Sequence, residues 1–199
     1  MSRLVETIKS ENGVLLNIAF HNERMRSSLN NLFGIKKLIA LEKEILIPEE
    51  CMNGTFKCRV EYEIMIEKIE FVPYKAKTIK SLKLISDNSI AYAYKFVDRK
   101  LFDKYISMCA EDEDILIIKN GMVTDSSYAN VVFLDYSGKW VTPSSFLLPG
   151  IQRSSLLERG IIHEEMITCN DLKKYREVRL INAMLGIDDT VGIPIGNLI

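Results

Sequence analysis

Residues 122–135 read Met-Val-Thr-Asp-Ser-Ser-Tyr-Ala-Asn-Val-Val-Phe-Leu-Asp, and this stretch decides the fold class. Apolar and β-branched residues gather in Met122–Thr124 and Asn130–Asp135, which predicts two strands. The Thr-Asp-Ser-Ser run favours a turn, because short polar side chains bond to nearby backbone groups. Asp125 and Asn130 therefore stand where a polar turn meets a sheet.

Short strands and helices continue on both sides of this pair. Apolar spacing predicts helices at His21–Leu32 (ending at Gly34), Ile35–Leu46, Arg99–Cys109, Gln152–Arg159 and Asp171–Tyr175. Further strands are predicted at Leu4–Ile8, Val14–Ile18, Ser81–Ser86, Ile90–Phe96, Asp114–Ile118, Trp140–Thr142 and Val178–Ala183, with two more inside Phe56–Val72. Turn-prone Asn12-Gly13 and Asp87-Asn88 predict two hairpins. The fold class is α+β with a dominant mixed sheet.

Composition excludes several classes of protein. The 199 residues allow one domain or two small ones, and 47% hydrophobic with 27% charged residues is typical of a globular chain. The net charge of −1 leaves no basic excess for nucleic acid or an anionic membrane. Four separated cysteines and two histidines offer no metal-ligand spacing. Charges in the first nine residues and the lack of a long apolar window predict a cytoplasmic protein.

One predicted strand has an unusual division of its side chains. In Ser89–Phe96 the large residues would share one face, while the other face would carry serine, two alanines and Lys95. The small face leaves space for something other than a side chain. The alternative is that another element packs on the alanines and Lys95 reaches solvent.

A second candidate site lies where a turn leads into a helix. Leu147–Arg153 reads Leu-Leu-Pro-Gly-Ile-Gln-Arg, and the free N–H groups at a helix start can bind an anion. An ordinary loop and helix cap is the alternative. Arg24, taken alone, is a solvated side chain of the first helix.

Together these segments resemble the class IV pyridoxal-phosphate enzymes, which include branched-chain aminotransferases, D-amino-acid aminotransferases and 4-amino-4-deoxychorismate lyases. The resemblance covers most of the chain and is weakest between residues 35 and 85. Its motifs, in order, are Val5-Glu-Thr-Ile8, His21-Asn-Glu-Arg-Met25, Lys95, Gly121–Phe133, Trp140–Pro143, Leu148–Arg153 and Leu180–Met184.

The resemblance implies pyridoxal 5'-phosphate as cofactor and Lys95 as the lysine that binds it as a Schiff base, a role that needs a readily deprotonated amine. Asp125 matches the carboxylate that keeps the ring nitrogen protonated, although the family has glutamate there. Arg24 would contact the phosphate, whose oxygens the backbone of Ile151 and Gln152 would cradle. Asn182 and Ala183 match a loop near phosphate and substrate. Asn130 would order the turn around Asp125, either with a direct role in the site or as an ordinary turn-stabilising asparagine at a strand edge. No metal is implied.

A second lysine, Lys80 in Ile79-Lys80-Ser81-Leu82, also looks like the family's lysine motif. One helix and one strand separate lysine and carboxylate in the family. The chain provides that helix and strand after Lys95, whereas Lys80 would need an additional hairpin. Lys95 is therefore chosen, and Lys80 is interpreted as a solvated charge.

Three functions remain. Asn182-Ala183 resembles the lyase subgroup, and no second arginine is placed to bind an α-carboxylate, which favours a 4-amino-4-deoxychorismate lyase giving 4-aminobenzoate and pyruvate. A D- or branched-chain amino-acid aminotransferase would use the same residues. The third alternative is a non-catalytic dimeric scaffold.

The resemblance also implies the architecture: a small α/β domain at 1–90, a larger domain at 91–199 with a barrel-like mixed sheet, and the cofactor in the cleft between them. Family members are homodimers, so a second copy and a small amine or amino acid are the expected partners. The strand that precedes Val5 in the family is missing, so one pocket wall is expected to be open or supplied by the partner subunit.

Overall fold

A computed structural model describes residues 3–36 and 39–199 of the chain. The chain divides into two compact units: the first runs to Lys75 and also takes in Tyr94–Asp98, and the second contains Ala76–Ala93 and Arg99–Ile199. Residues 76–90, assigned to the small domain from sequence, thus lie in the second unit.

The first unit contains an antiparallel sheet in the order β2-β1-β3-β4. Its strands are β1 (Leu4–Glu11), β2 (Val14–Leu15), β3 (Thr55–Tyr62) and β4 (Ile66–Pro73). Asn12 (φ 48°) and Gly13 (φ 76°) connect β1 to β2, and positive φ at both positions is what a two-residue hairpin turn requires. The predicted hairpin is therefore present.

Helix α1 spans Ile18–Phe33 and packs on this sheet through the face that carries Met25 and Leu29. It ends at Gly34, whose φ of 69° suits glycine, and the Gly34 N–H bonds to the Asn30 carbonyl at 3.0 Å. The helix predicted at 35–46 crosses Lys37 and Leu38, which lie outside the described residues. In the described part only α2 (Leu41–Glu44) is helical, so most of that prediction is wrong.

The second unit contains an eight-stranded mixed sheet that branches at β8. Strand β8 pairs with β7, β9 and β11. The strands are β5 (Ser81–Ser86), β6 (Glu113–Lys119), β7 (Met122–Ser126), β8 (Asn130–Asp135), β9 (Trp140–Pro143), β10 (His163–Glu165), β11 (Tyr175–Ile181) and β12 (Ile193–Pro194). Two helices belong to it, α3 (Lys100–Ile106) and α4 (Ile151–Glu158). The helix predicted at 171–175 is a 3-10 helix, Cys169–Lys174.

The strand predicted at Ile90–Phe96 is wrong. Ile90 and Tyr92 are buried and Ala91 and Ala93 exposed, as the alternation indicates, but the segment is extended chain with one isolated bridge, Phe96 to Leu4. The predicted hairpin is also absent, because β5 pairs in parallel with β6 instead. Alternation reports which side chains are buried, and it does not determine whether a backbone finds a partner strand.

Packing in the core of the second unit determines the position of the polar turn at residues 124–130. Val131 and Phe133 of β8 pack with Val178 and Leu180 of β11, and all four are buried. This packing fixes β8, and with it the start of the strand at Asn130. None of the helices in the described ranges has the length and apolarity that crossing a bilayer would require.

Replacing Gly34 with alanine tests the left-handed end of α1. A Cβ on Gly34 meets no atom within 4 Å, so the cost comes only from its positive φ, and we expect a loss of about 1 kcal/mol in the free energy of unfolding. Gly196→Ala is the matched control, since it also meets nothing and lacks a positive φ. If urea titrations showed equal losses of unfolding free energy in the two variants, the left-handed conformation of Gly34 would not be the cause of the loss.

Candidate functional site

Lys95 lies near enough to the buried His21 for its positive charge to contribute to the lowered pKa of that imidazole. Its backbone carbonyl accepts the Val5 N–H at 2.9 Å, so it lies beside β1 in the first unit, and the residue is half-buried. Lys80 has a side chain that is 71% exposed and pairs with Asp112 at 3.0 Å. Lys80 thus has the surroundings of a solvated surface charge, as the sequence analysis interpreted it.

Arg24 lies on the buried side of α1 and pairs with Glu6 of β1. Its Nε donates to Glu6 Oε1 at 2.9 Å and its Nη2 to Glu6 Oε2 at 2.5 Å, a side-on two-bond pair. Glu6 is fully buried, and the Arg24 side chain is 11% exposed. Arg24 is therefore an ordered, largely buried cation and not the solvated side chain that its helix position alone suggests.

His21 completes this cluster, and the sequence analysis missed both it and Glu6. His21 Nδ1 lies 2.5 Å from Glu6 Oε2, and both side chains are fully buried. Burial alone would raise the pKa of Glu6, but the charge of Arg24 and the bond to His21 outweigh it and hold the pKa at about 2. The signal was available, because Glu6, His21 and Arg24 all lie in segments that resemble family motifs.

In the second unit, Asp125 is a buried carboxylate at the end of the polar turn. Its Oδ2 accepts the backbone N–H groups of Leu147 (2.8 Å) and Leu148 (3.0 Å), and its Oδ1 accepts Asn130 Nδ2 (2.7 Å). Burial raises the pKa of Asp125 to about 6, although these three donors favour the charged form. Asp125 therefore joins the β7–β8 turn to the loop that leads into α4.

Asn130 and Gly150 fix the same loop from the other side. Asn130 Nδ2 also donates to the Leu148 carbonyl at 3.0 Å, so one amide bonds both the carboxylate and the loop. A Cβ on Gly150 would lie 1.8 Å from Asn130 Oδ1. Asn130 cannot turn aside without breaking its two bonds, and Gly150 is therefore required by close approach. The structure shows Asn130 ordering this turn, as the sequence analysis predicted.

Helix α4 begins directly after Gly150 with Ile151 and Gln152. The first intrahelical bond runs from the Ser154 N–H to the Gly150 carbonyl, so the N–H groups of residues 151 and 152 have no acceptor inside the helix. The first turn carries no acidic residue that would repel an anion. This helix start has the donors and the charge that an anion-binding site needs.

Asn182 and Ala183 form a tight turn near this helix start. Asn182 Oδ1 accepts the Met184 N–H at 2.8 Å, and the backbones of Asn182 and Leu185 bond to each other. A Cβ on Gly186 would lie 3.6 Å from Gln152 Nε2, so the turn and the first residues of α4 are neighbours. The second unit thus brings together Asp125, Asn130, Ile151, Gln152 and Asn182.

Comparison with known proteins gives these residues a context. A family model described as "Amino-transferase class IV" matches residues 3–188. A crystal structure of a "putative 4-amino-4-deoxychorismate lyase" from Haemophilus somnus is 34% identical in sequence, with a TM-score of 0.87 over 94% of this chain and 98% of that chain. A "putative aminodeoxychorismate lyase" from Schizosaccharomyces pombe is 26% identical over 204 residues, which cover 92% of this chain and 86% of that protein.

A more distant structure shares only the fold. The pyridoxal-phosphate-bound form of a hypothetical aminotransferase from Mycobacterium tuberculosis is 15% identical, with a TM-score of 0.75 over 99% of this chain and 81% of that chain. The α+β class expected from sequence is therefore confirmed, and the fold is that of class IV aminotransferases.

Gly150→Ala tests the close approach to Asn130. We expect a loss of about 1–3 kcal/mol in the free energy of unfolding, because the added methyl overlaps a buried amide that two bonds hold in place. Guanidinium titrations of Gly150→Ala, Asn130→Ala and the double variant measure the coupling between the two positions. The alanine at 150 should cost less once the Asn130 side chain is gone, and purely additive losses would disprove the clash.

The pH dependence of stability tests the burial of Asp125. Its folded pKa of about 6 exceeds the unfolded value of 3.8, so the folded protein holds the extra proton between these pH values. The stability from this group is present below pH 3.8 and is lost as the pH rises through about 6, by about 3 kcal/mol at most. The difference in unfolding free energy between the unmodified protein and Asp125→Asn should fall accordingly from pH 4 to 7. A flat difference would contradict the raised pKa.

Proposed function

The chain belongs to the class IV aminotransferase family, and from that premise we propose that it is a pyridoxal-phosphate-dependent lyase that converts 4-amino-4-deoxychorismate into 4-aminobenzoate and pyruvate. The choice of reaction is supported by the names of two relatives that cover nearly the whole chain. The Asn182-Ala183 pair, which resembles the lyase subgroup, points the same way.

The residues in the second unit fit the two charged parts of the cofactor. The start of α4 offers backbone donors to a phosphate and carries no acidic residue in its first turn. Within the described residues, Asp125 Oδ1 accepts one bond, from Asn130, and retains a lone pair for a protonated ring nitrogen. The observation that carries the proposal is that Asp125 bonds directly to the loop preceding α4, so one network holds both the carboxylate and the anion donors.

The shorter side chain of Asp125 is compatible with this role. The loop amides of Leu147 and Leu148 occupy Oδ2, which leaves Oδ1 for the ring nitrogen. A positive ring nitrogen beside this carboxylate would favour its charged form and lower its pKa below the value that burial alone sets. Asp125 would therefore be ionised at neutral pH with cofactor bound.

In this proposal Lys95 Nζ binds the cofactor and later moves a proton. When bound, pyridoxal phosphate withdraws electrons from the amine-bearing ring carbon of the substrate, which makes the proton on that carbon removable. Lys95 Nζ accepts this proton. The departing enolpyruvate takes up a proton as it becomes pyruvate, and the remaining ring becomes aromatic. By the family resemblance, Arg24 would hold the phosphate, the amides of Ile151 and Gln152 would donate to it, and Asn182 and Ala183 would belong to the loop near it.

Borohydride reduction in the presence of pyridoxal phosphate tests the cofactor and the lysine. We expect one reduced adduct on Lys95 in peptide maps, and none in Lys95→Ala. Lys80→Ala is the matched control and should label like the unmodified protein, since Lys80 lies at the surface. Labelling confined to Lys80 would show that the wrong lysine was chosen, and no specific labelling would favour the non-catalytic scaffold.

Substrate assays on unreduced protein loaded with pyridoxal phosphate separate the two reactions. We expect 4-aminobenzoate and pyruvate to appear in equal amounts from 4-amino-4-deoxychorismate, and neither with Lys95→Ala. Turnover of a D- or branched-chain amino acid with an oxo-acid acceptor, without aminobenzoate release, would establish the aminotransferase instead. The homodimer that the resemblance implies remains a proposal alongside this one.

A further inference from the structure

The first unit contains a buried polar cluster that the proposed chemistry does not explain by itself. Glu6 and His21 are fully buried, and Arg24 is nearly so. Two buried charges and an imidazole inside an apolar core cost folding free energy unless each is well bonded. Met25 and Leu29, on the same helix as His21 and Arg24, are apolar and fully buried.

The hydrogen bonds of the cluster all meet at the Glu6 carboxylate. It accepts two bonds from Arg24 and one from His21, so both of its oxygens are bonded. Because Glu6 is ionised, the 2.5 Å contact requires the His21 proton on Nδ1. Burial lowers the pKa of His21, which keeps the ring neutral. His21 is thus a neutral donor that holds the acceptor in place.

This arrangement sets the direction of the arginine. The bonds to Glu6 use Nε and Nη2, so the guanidinium plane is fixed in the plane of the carboxylate. The Nη1 side of the guanidinium consequently points away from Glu6. An unpaired arginine would lose side-chain entropy on binding a ligand, whereas this one is already ordered.

We propose that Glu6 and His21 are positioning residues that orient Arg24 toward the phosphate of the cofactor. This inference rests on the proposed function, because it assumes that pyridoxal phosphate is the ligand. His21 holds the Glu6 carboxylate through one hydrogen bond, and Glu6 orients the Arg24 guanidinium through two. In this proposal, of the three residues only Arg24 contacts the phosphate. Removing the His21 donor therefore weakens phosphate binding without removing any group that contacts the cofactor.

The experiment compares the affinities of the full-length protein, freed of cofactor, for pyridoxal phosphate and for pyridoxal. Pyridoxal can react with the same lysine but lacks the phosphate. The ratio of the dissociation constant for pyridoxal to that for pyridoxal phosphate therefore isolates the phosphate contact, and a lower ratio means a weaker contact. Both are measured by absorbance titration. For His21→Leu we expect pyridoxal phosphate to bind about tenfold more weakly, with pyridoxal changed less than twofold.

Three variants distinguish positioning from a merely structural role. His21→Asn places an amide donor close to the position of Nδ1 and should restore most of the ratio. Glu6→Gln, which replaces one acceptor oxygen with a donor, should lower the ratio as His21→Leu does. Leu29→Ala, which opens a cavity in the same core without touching the cluster, should reduce thermal stability and leave the ratio unchanged.

A double-mutant cycle with Arg24→Ala provides the decisive comparison. Once Arg24 is gone, His21→Leu should change the affinity for pyridoxal phosphate less than twofold. An unchanged ratio in both His21→Leu and Glu6→Gln, in a protein that binds pyridoxal phosphate, would overturn this inference and leave the proposed function standing. Failure of the unmodified protein to bind pyridoxal phosphate would overturn both.

Discussion

The candidate site depends on a buried carboxylate that bonds to backbone amides. Asp125 holds Leu147 and Leu148 through one oxygen and Asn130 through the other, and Asn130 in turn bonds the loop carbonyl. Burying a carboxylate is unfavourable, and these three donors offset that cost. Because each group satisfies another, the turn and the loop are ordered together, and α4 begins in a defined place.

The first unit uses a different arrangement for a similar purpose. There a carboxylate is bonded to an arginine and a histidine, and not to amides. The pKa values of the two carboxyl groups show the difference. Arg24 and His21 outweigh burial and lower the pKa of Glu6 to about 2, whereas burial raises the pKa of Asp125 to about 6 despite its three neutral donors. Under the proposed function, Asp125 is therefore the one of these two buried carboxylates whose protonation would change when a positive ring binds beside it.

Local signals in the sequence predicted the elements that depend on local physics. The helix ending at Gly34, the turn at Asn12-Gly13 and the helix after Gly150 all carry their determinants within a few residues. The parallel pairing of β5 with β6, and the single isolated bridge that the chain at 90–96 forms with Leu4, depend on distant partners, which no local pattern reports. That is why the predicted hairpin is absent.

The residues of the candidate site also separate into those that the sequence predicted and those that depend on distant contacts. Asp125 and Asn130 were assigned to the site because their segment resembles a family motif, and Lys95 was chosen over Lys80 because a helix and a strand separate it from Asp125, as in the family. The need for glycine at 150 could not be predicted, because it arises from the side chain of Asn130, twenty positions earlier in sequence. Glu6 and His21 were missed because their burial and their hydrogen bond arise from the packing of α1 on β1, which neither segment reports when it is read alone.

The short segment Tyr94–Asp98 has a consequence for how this protein can change over evolutionary time. The segment belongs to the first unit but is reached only after the chain has entered the second, and it bonds back to Arg3 and Val5. A gene fragment ending after Lys75 would encode a first unit without Lys95. Neither unit can therefore be duplicated, lost or exchanged as one uninterrupted piece, and recombination that respects both units must preserve three junctions at once.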